Sequence, residues 1–333
     1  MSHAPSKIAA AFFLALFFCL PLFGQHEING SMTMYFNSAE YWEEWFMLKG
    51  KLGVELDLAK GMTSDIALYM DEFEVNPDEI TVTMKLGDKL RARAGYKENF
   101  LTMDEFDSSF DRIINETGLI TEYYDYLGYV ARYTSLELYD KNDWYFKGGV
   151  SNVFPYEPQF NGSYFFHPFG KNSFYGLSAL YLGNWRKIYD DTEDSSHHFA
   201  FTLHAADTTG PWLYSVELAT GSNISSPISY MTLPTEDGDR SYFFGADGLI
   251  AYKKELFELE WIPGLRYSLI MPDAAYGEYF TQRFVLANQL YLSEDAKLFA
   301  DFFLEHERPY LDLSGDEDIY TLALYAGIQI KTN

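Results

Sequence analysis

From Phe46 to Leu58 the chain alternates with a period of two. Phe46, Leu48, Leu52, Val54, Leu56 and Leu58 share one parity, and Met47, Lys49, Lys51, Glu55 and Asp57 share the other. Successive side chains on a strand point to opposite faces, so this segment has one apolar and one charged face. A strand of about 9–11 residues patterned this way can cross a bilayer in a closed barrel, with hydrocarbon outside and water inside. The pattern recurs in Ile80, Val82, Met84 and Leu86, in Leu90, Ala92, Ala94 and Tyr96, in Trp212, Tyr214, Val216 and Leu218, and from Tyr320 to Ile330.

Sixteen candidate strands follow, at 28–37, 46–58, 62–73, 79–87, 89–98, 126–138, 143–151, 160–167, 173–184, 197–206, 211–220, 241–252, 256–270, 277–291, 296–306 and 319–331. Short connections at 59–61, 87–89, 139–142, 168–172, 207–210, 253–255 and 292–295 alternate with longer ones at 38–45, 74–78, 99–125, 152–159, 185–196, 221–240, 271–276 and 307–318. Short turns at one end and long loops at the other are the habit of outer-membrane barrels. The expected fold is therefore all-β, a 16-stranded antiparallel transmembrane β-barrel, with fourteen as the other even count considered. A barrel of sixteen strands is wide enough for an aqueous channel.

The start of the chain fits export. Lys7 precedes an apolar run from Ile8 to Phe23, followed by Gly24, Gln25, His26 and Glu27. This reads as a signal peptide over 1–24 ahead of one barrel domain over 25–333. The only cysteine, Cys19, lies in that leader, so the expected mature chain has no disulfide and no thiol chemistry. The formal net charge of −25 disfavours nucleic-acid binding, which needs a basic surface. The 27 Tyr and 28 Phe suit two interfacial aromatic girdles, and Tyr41, Trp42, Trp45 and Phe46 read as part of one. The expected location is the bacterial outer membrane, among lipid and lipopolysaccharide.

A pore needs water, fixed charge and a narrowing. Lys85, Arg91, Arg93, Lys97, Arg132 and Lys147 are placed on the lumen parity of neighbouring strands as a basic stripe. Glu55, Asp57, Glu217, Glu258, Glu260, Asp301 and Glu305 add negative charge on the lumen side. Loop 99–125 is the candidate constriction, carrying Asp104, Glu105, Asp107, Asp111 and Glu116. Carboxylates facing a basic stripe across a gap would orient polar solutes. No Gly-x-Ser-x-Gly or His-Glu-x-x-His spacing is present, and His204 falls on the lumen parity, so no enzyme is expected. His197 and His198 are adjacent and face opposite ways, so neither a metal site nor a cofactor is expected.

Residues 80–100 with Gly95, Lys97 and Phe100, then 125–133, 144–154 and 160–185, resemble the phosphate-selective porin O and P family in motif and order. The resemblance implies a sixteen-stranded trimeric porin whose third loop folds into the pore. That family's anion-selective members line the lumen with many Arg and Lys, and this chain is acidic. The expected function is a passive diffusion channel for small polar solutes and ions, with weak selectivity. The alternatives are an anion or phosphate channel, and a barrel receptor or adhesin without an open pore.

Overall fold

The computed structural model describes residues 27–37, 46–71, 74–88, 90–98, 113–114, 117–127, 129, 132–140, 144–153, 156–166, 173–185, 196–208, 210–223, 242–272, 274, 280–308 and 318–332. The expected leader 1–24 lies outside them. The strands are β1 (Glu27–Asn37), β2 (Phe46–Ala59), β3 (Met62–Asp71), β4 (Glu74–Lys85), β5 (Leu90–Glu98), β6 (Arg132–Asp140), β7 (Trp144–Val153), β8 (Tyr156–Phe166) and β9 (Ser173–Trp185). They continue as β10 (Ser196–Asp207), β11 (Trp212–Ser222), β12 (Tyr242–Tyr252), β13 (Lys254–Leu256), β14 (Leu259–Met271), β15 (Phe280–Ser293), β16 (Ala296–Arg308) and β17 (Ile319–Thr332). A single helix among the described residues, α1 (Leu119–Tyr126), lies between β5 and β6.

Every pairing is antiparallel and joins sequence neighbours, apart from β1 with β17 and from β12, which pairs with β14 beyond the three-residue β13. β1 pairs with β2 on one side and with β17 on the other, from Gly30 opposite Thr332 to Asn37 opposite Tyr325. The ladder thus returns to its start. No described helix is long and apolar enough to cross a membrane.

The alternation expected from sequence is realised as two faces. Leu136, Leu203, Leu286 and Leu322 are 58%, 54%, 52% and 57% exposed, all on the outward parity. Their neighbours Glu137, Thr202, Val285 and Ala323 are buried on the inward parity. Large apolar side chains exposed on the described outward positions of β2–β6, β9–β12 and β14–β17, with polar groups enclosed within, invert the burial of a water-soluble protein.

Several boundaries differ from expectation. The strand expected over 126–138 runs from Arg132 to Asp140, because Tyr126 closes α1. Residues 74–78 are strand, because Pro77 sits at a bulge, opposite Leu68, where a missing N–H is tolerated. Likewise Pro158 lies inside β8, beside a register shift between Ser151 and Val153. Both long connections expected there shrink, to 72–73 and 154–155, so the strict alternation of short and long breaks at those points. The turn expected at 253–255 is instead Phe257-Glu258, with φ of 53° and 65°. Two successive residues with positive φ are the signature of a type I′ hairpin, usually read from Asn-Gly and invisible in Phe-Glu.

Gly95 has φ +145°, and a Cβ there would lie 2.7 Å from the Thr81 Cα and closer still to the Ile80 carbonyl oxygen. Gly95→Ala should cost about 2 kcal/mol of barrel stability, read as a lower denaturant midpoint for unfolding from detergent or vesicles. An unchanged midpoint would mean that β4 and β5 do not approach this closely.

Candidate pore and its docked loop

The connection from β5 to β6 enters the barrel and binds its far wall. Ile113 packs with Gly264 and with the cluster of Leu213, Ala251 and Ile262. Ile114 packs with Val285, Ala287, Phe303 and Ala323. Further along, Leu119, Ile120, Tyr124, Leu127 and Tyr129 pack with Leu180, Ala200, Ala219, Phe243 and Ile270. Ala251 and Phe243 lie eight residues apart on β12. At about 3.4 Å per residue, the segment therefore covers about 27 Å of strand length.

The wall is shaped for this segment. A Cβ on Gly245 would meet Ile120 Cγ1 at 3.0 Å, and one on Gly264 would meet Ile113 Cγ2 at 3.2 Å. Tyr124, fully buried, places its hydroxyl 3.0 Å from the Phe201 carbonyl and 2.9 Å from Thr202 Oγ1. The Tyr129 hydroxyl lies 2.6 Å from the Ser222 carbonyl. Tyr123 donates to Asn223 Oδ1 at 2.9 Å. Gln289, on the inward face of β15, donates to the Ile113 carbonyl at 2.5 Å.

Between the apolar rows runs a polar one. His204, Glu217, Asp247, Ser268, Arg283 and Glu305 stand directly opposite one another in register from β10 to β16. Arg283 is its centre. Its guanidinium meets Glu122 of α1 at 2.8 and 3.0 Å, Glu305 at 2.6 Å and the Thr117 carbonyl at 3.1 Å. A bidentate guanidinium–carboxylate pair fixes orientation as well as charge. Arg266 grips Asp247 at 2.8 and 3.0 Å, and Ser268 donates to the same carboxylate. Further along the row, Ser178 Oγ lies 3.0 Å from His204 Nε2, and His204 Nδ1 lies 2.8 Å from Glu217. The order serine, imidazole, carboxylate resembles a nucleophile relay. Ser178 is fully enclosed, however, so no substrate carbonyl reaches it and the trio braces three strands.

The opposite wall, β2 to β5, is wetter. Arg93 and Glu79 have side chains 24% and 23% exposed and lie 3.7 Å apart. Arg93 also donates to Thr83 Oγ1 at 3.1 Å. Lys51 pairs with Asp78, and Lys97 pairs with Glu137 at 3.0 Å. Lys85 and Arg91 are register partners at the short-turn end, Lys85 exposed and Arg91 half-buried.

The residues expected in the basic stripe are placed as follows. Arg93 and Lys97 reach inward, each joined to a carboxylate of an adjacent strand. By register Lys147 stands opposite Tyr139, on the parity of Glu137. Arg132 stands opposite Glu98, on the parity of outward Leu136 and Leu138, the reverse of its expected face. The side chains of Lys147 and Arg132 are outside the described residues, as are Asp104, Glu105, Asp107, Asp111 and Glu116. Sequence reasoning missed Glu122, Arg283, Tyr124 and Tyr129. The available signal was the inward parity of β11 to β14, where Ala219, Gly221, Phe243, Gly245, Ala251 and Gly264 stand where a wet lumen would be polar.

No family model matches the chain, and no curated protein matches it. Among solved structures, the chain is similar to the trimer form of OmpT, an outer membrane protein of Vibrio cholerae, with a TM-score of 0.61, 9% identity, and coverage of 92% of this chain and 99% of that one. An anion-selective porin from Comamonas acidovorans gives a TM-score of 0.61 at 11% identity, covering 92% and 99%. The outer membrane channel DcaP of Acinetobacter baumannii gives 0.60 at 6%, covering 92% and 96%. At such identities the likeness is one of fold, an all-β barrel of outer-membrane type.

Gly245→Leu should push Ile120 off the wall while leaving the strands paired. A Thr121→Cys reporter, buried in the parent, should then react with a thiol reagent at least about tenfold faster. Equal labelling rates would show that the helix does not depend on this seat.

Proposed function

We propose that this chain is an outer-membrane porin, exported behind the leader 1–24, that lets small polar solutes and ions diffuse passively. The three-residue β13 continues β12 after Lys253, so the barrel has sixteen staves, with a homotrimer as its assembly. One observation carries the reading. The docked loop occupies the β9–β16 side of the lumen, and the β2–β5 side keeps partly exposed charged side chains, with Arg93, Glu79 and Lys51 24%, 23% and 49% exposed. Charged groups inside a hydrocarbon-clad sheet stay hydrated only where water enters, and a hydrated strip beside a packed one describes a conduit.

Selectivity follows from how those charges are paired. Lys51 with Asp78 and Arg93 with Glu79 cancel locally, and Lys97 with Glu137 is an enclosed pair behind them. A permeating ion therefore meets a near-neutral wall with alternating sign. This supports weak selectivity over a dedicated phosphate channel, for which the motifs shared with the phosphate-selective porin O and P family would call for an unpaired Lys/Arg ladder. The Comamonas neighbour's anion selectivity is not carried over for the same reason.

Planar bilayers test the reading. The folded protein should give stepwise conductance with a reversal potential near zero in a salt gradient. Glu79→Gln should move that potential toward anions and Arg93→Gln toward cations, since each leaves its partner uncompensated. Absence of steps would overturn the porin reading in favour of a closed receptor barrel, and strong anion preference in the parent would overturn weak selectivity.

A further inference from the structure

The hydrated wall holds one place where opposite charges gather around a single hydroxyl. Along its inward face β4 presents Glu79, Thr81 and Thr83. Asp65 of β3 stands opposite Thr81 on one side, and Gly95 of β5 on the other. The Thr81 hydroxyl lies 3.0 Å from Glu79 Oε1 and 3.4 Å from Asp65 Oδ2. It has one proton to give, so Glu79 takes the shorter bond and Asp65 keeps acceptor capacity. Arg93 closes the group from β5. Its Nε donates to Thr83 Oγ1 at 3.1 Å, and its Nη1 lies 3.7 Å from Glu79 Oε1. Thr83 and Glu79 are four residues apart on β4, so the guanidinium runs past Gly95, where no side chain blocks it.

This group differs from the braces elsewhere in the wall. Lys97 with Glu137 and Arg266 with Asp247 close at 3.0 and 2.8 Å and are enclosed. Arg93 and Glu79 stand 3.7 Å apart, beyond hydrogen-bond length, and both are partly exposed. Two carboxylates also share one guanidinium, an excess of one negative charge. An ammonium group cancels that excess and brings three donors, for Asp65, Glu79 and the Thr81 oxygen. A guanidinium beside that seat matches a carboxylate. The wall's positive and negative groups are thus one contact apart, as are those of an α-amino acid.

We propose that this group is a seat for α-amino acids in transit, with the ammonium between Asp65 and Glu79 and the carboxylate on Arg93. A singly charged solute is attracted by one part of the seat and repelled by the other, whereas a zwitterion is attracted at both ends. A neutral solute of the same size gains neither attraction. Lys51 with Asp78 continues the alternation on β2 and β4, so the preference for a dipole extends beyond one point. The proposal rests on the porin reading for an open lumen and adds the class of solute that the wall favours.

The test is swelling of vesicles that hold the full chain, in four solutes of one size: alanine (zwitterion), lactamide (neutral), lactate (anion) and alaninamide (cation). In the parent, alanine should enter about threefold faster than lactamide, and faster than either ion. Asp65→Asn and Arg93→Gln should each bring the ratio of alanine to lactamide down to about one. Lactamide entry in the same vesicles reports that each variant is folded and open. Equal entry of alanine and lactamide in the parent overturns the proposal and leaves the porin reading standing. So does a preference that both variants keep, which places its origin elsewhere. Alaninamide entering fastest also overturns it, because the seat is then one for cations alone. Vesicles closed to all four solutes, and silent in conductance, sink the porin reading and this proposal together.

Discussion

The hydrogen-bonded ladder from β1 round to β17 is the constraint from which the rest follows. Inside hydrocarbon, no water is available to a backbone N–H or carbonyl, so each must find its partner in the sheet. Closing the sheet removes the two edges that would otherwise be left bare. Closure then dictates side-chain chemistry. Every residue becomes inward or outward by parity, and a single register slip would turn Leu136 into the lumen and Glu137 into lipid. The bulges at Pro77 and in β7–β8 are tolerated because they lie near strand ends, where the ladder can shift and resume.

A closed sheet of this size encloses more space than its own side chains fill, and the chain fills part of it with itself. The layering of that contact divides the labour. The apolar rows above and below bury Ile113, Ile114, Ile120 and Tyr124, and such burial is favourable at any orientation. The polar row between them is directional. Arg283, held by Glu305 from its own wall, has donors left for Glu122 and the Thr117 carbonyl, so only one placement of α1 satisfies it. Removing Glu122 would leave an enclosed guanidinium with fewer acceptors, which is why such pairs specify geometry more than they add stability.

Strand existence and facing were legible because lipid imposes a strict period of two. Strict alternation from Trp212 to Leu218, or through the 14-residue β17, leaves one solution. What was hidden lies where a second rule overrides the first. Pro77 and Pro158 look like loop residues until a bulge accommodates them. Phe257-Glu258 adopts a turn that local chemistry does not favour, fixed by the pairing of Lys254 with Trp261. The sequence predicts loop 99–125 as a long pore constriction whose carboxylates face a basic stripe, and says nothing of what holds it to the wall. The residue that carries the anchor, Glu122, is one of three polar positions, with Thr121 and Asp125, in a helix whose tyrosines resemble girdle aromatics. Its partner Arg283 is 161 positions away, and only the register across four strands brings that guanidinium into the same row as Glu217 and Asp247.

The general point concerns what an inward parity means. A strand in such a barrel meets three media: lipid outside, and inside either water or the chain itself. Water on the inward face selects alternating paired charges, as in Lys51, Glu79 and Arg93. Protein on the inward face selects small and apolar residues, as in Ala219, Gly245, Ala251 and Gly264, with polar groups confined to one row. The outward face obeys the same logic in reverse. Uniform leucine and phenylalanine record lipid. Reading each parity separately, strand by strand, therefore separates the conduit from its filling.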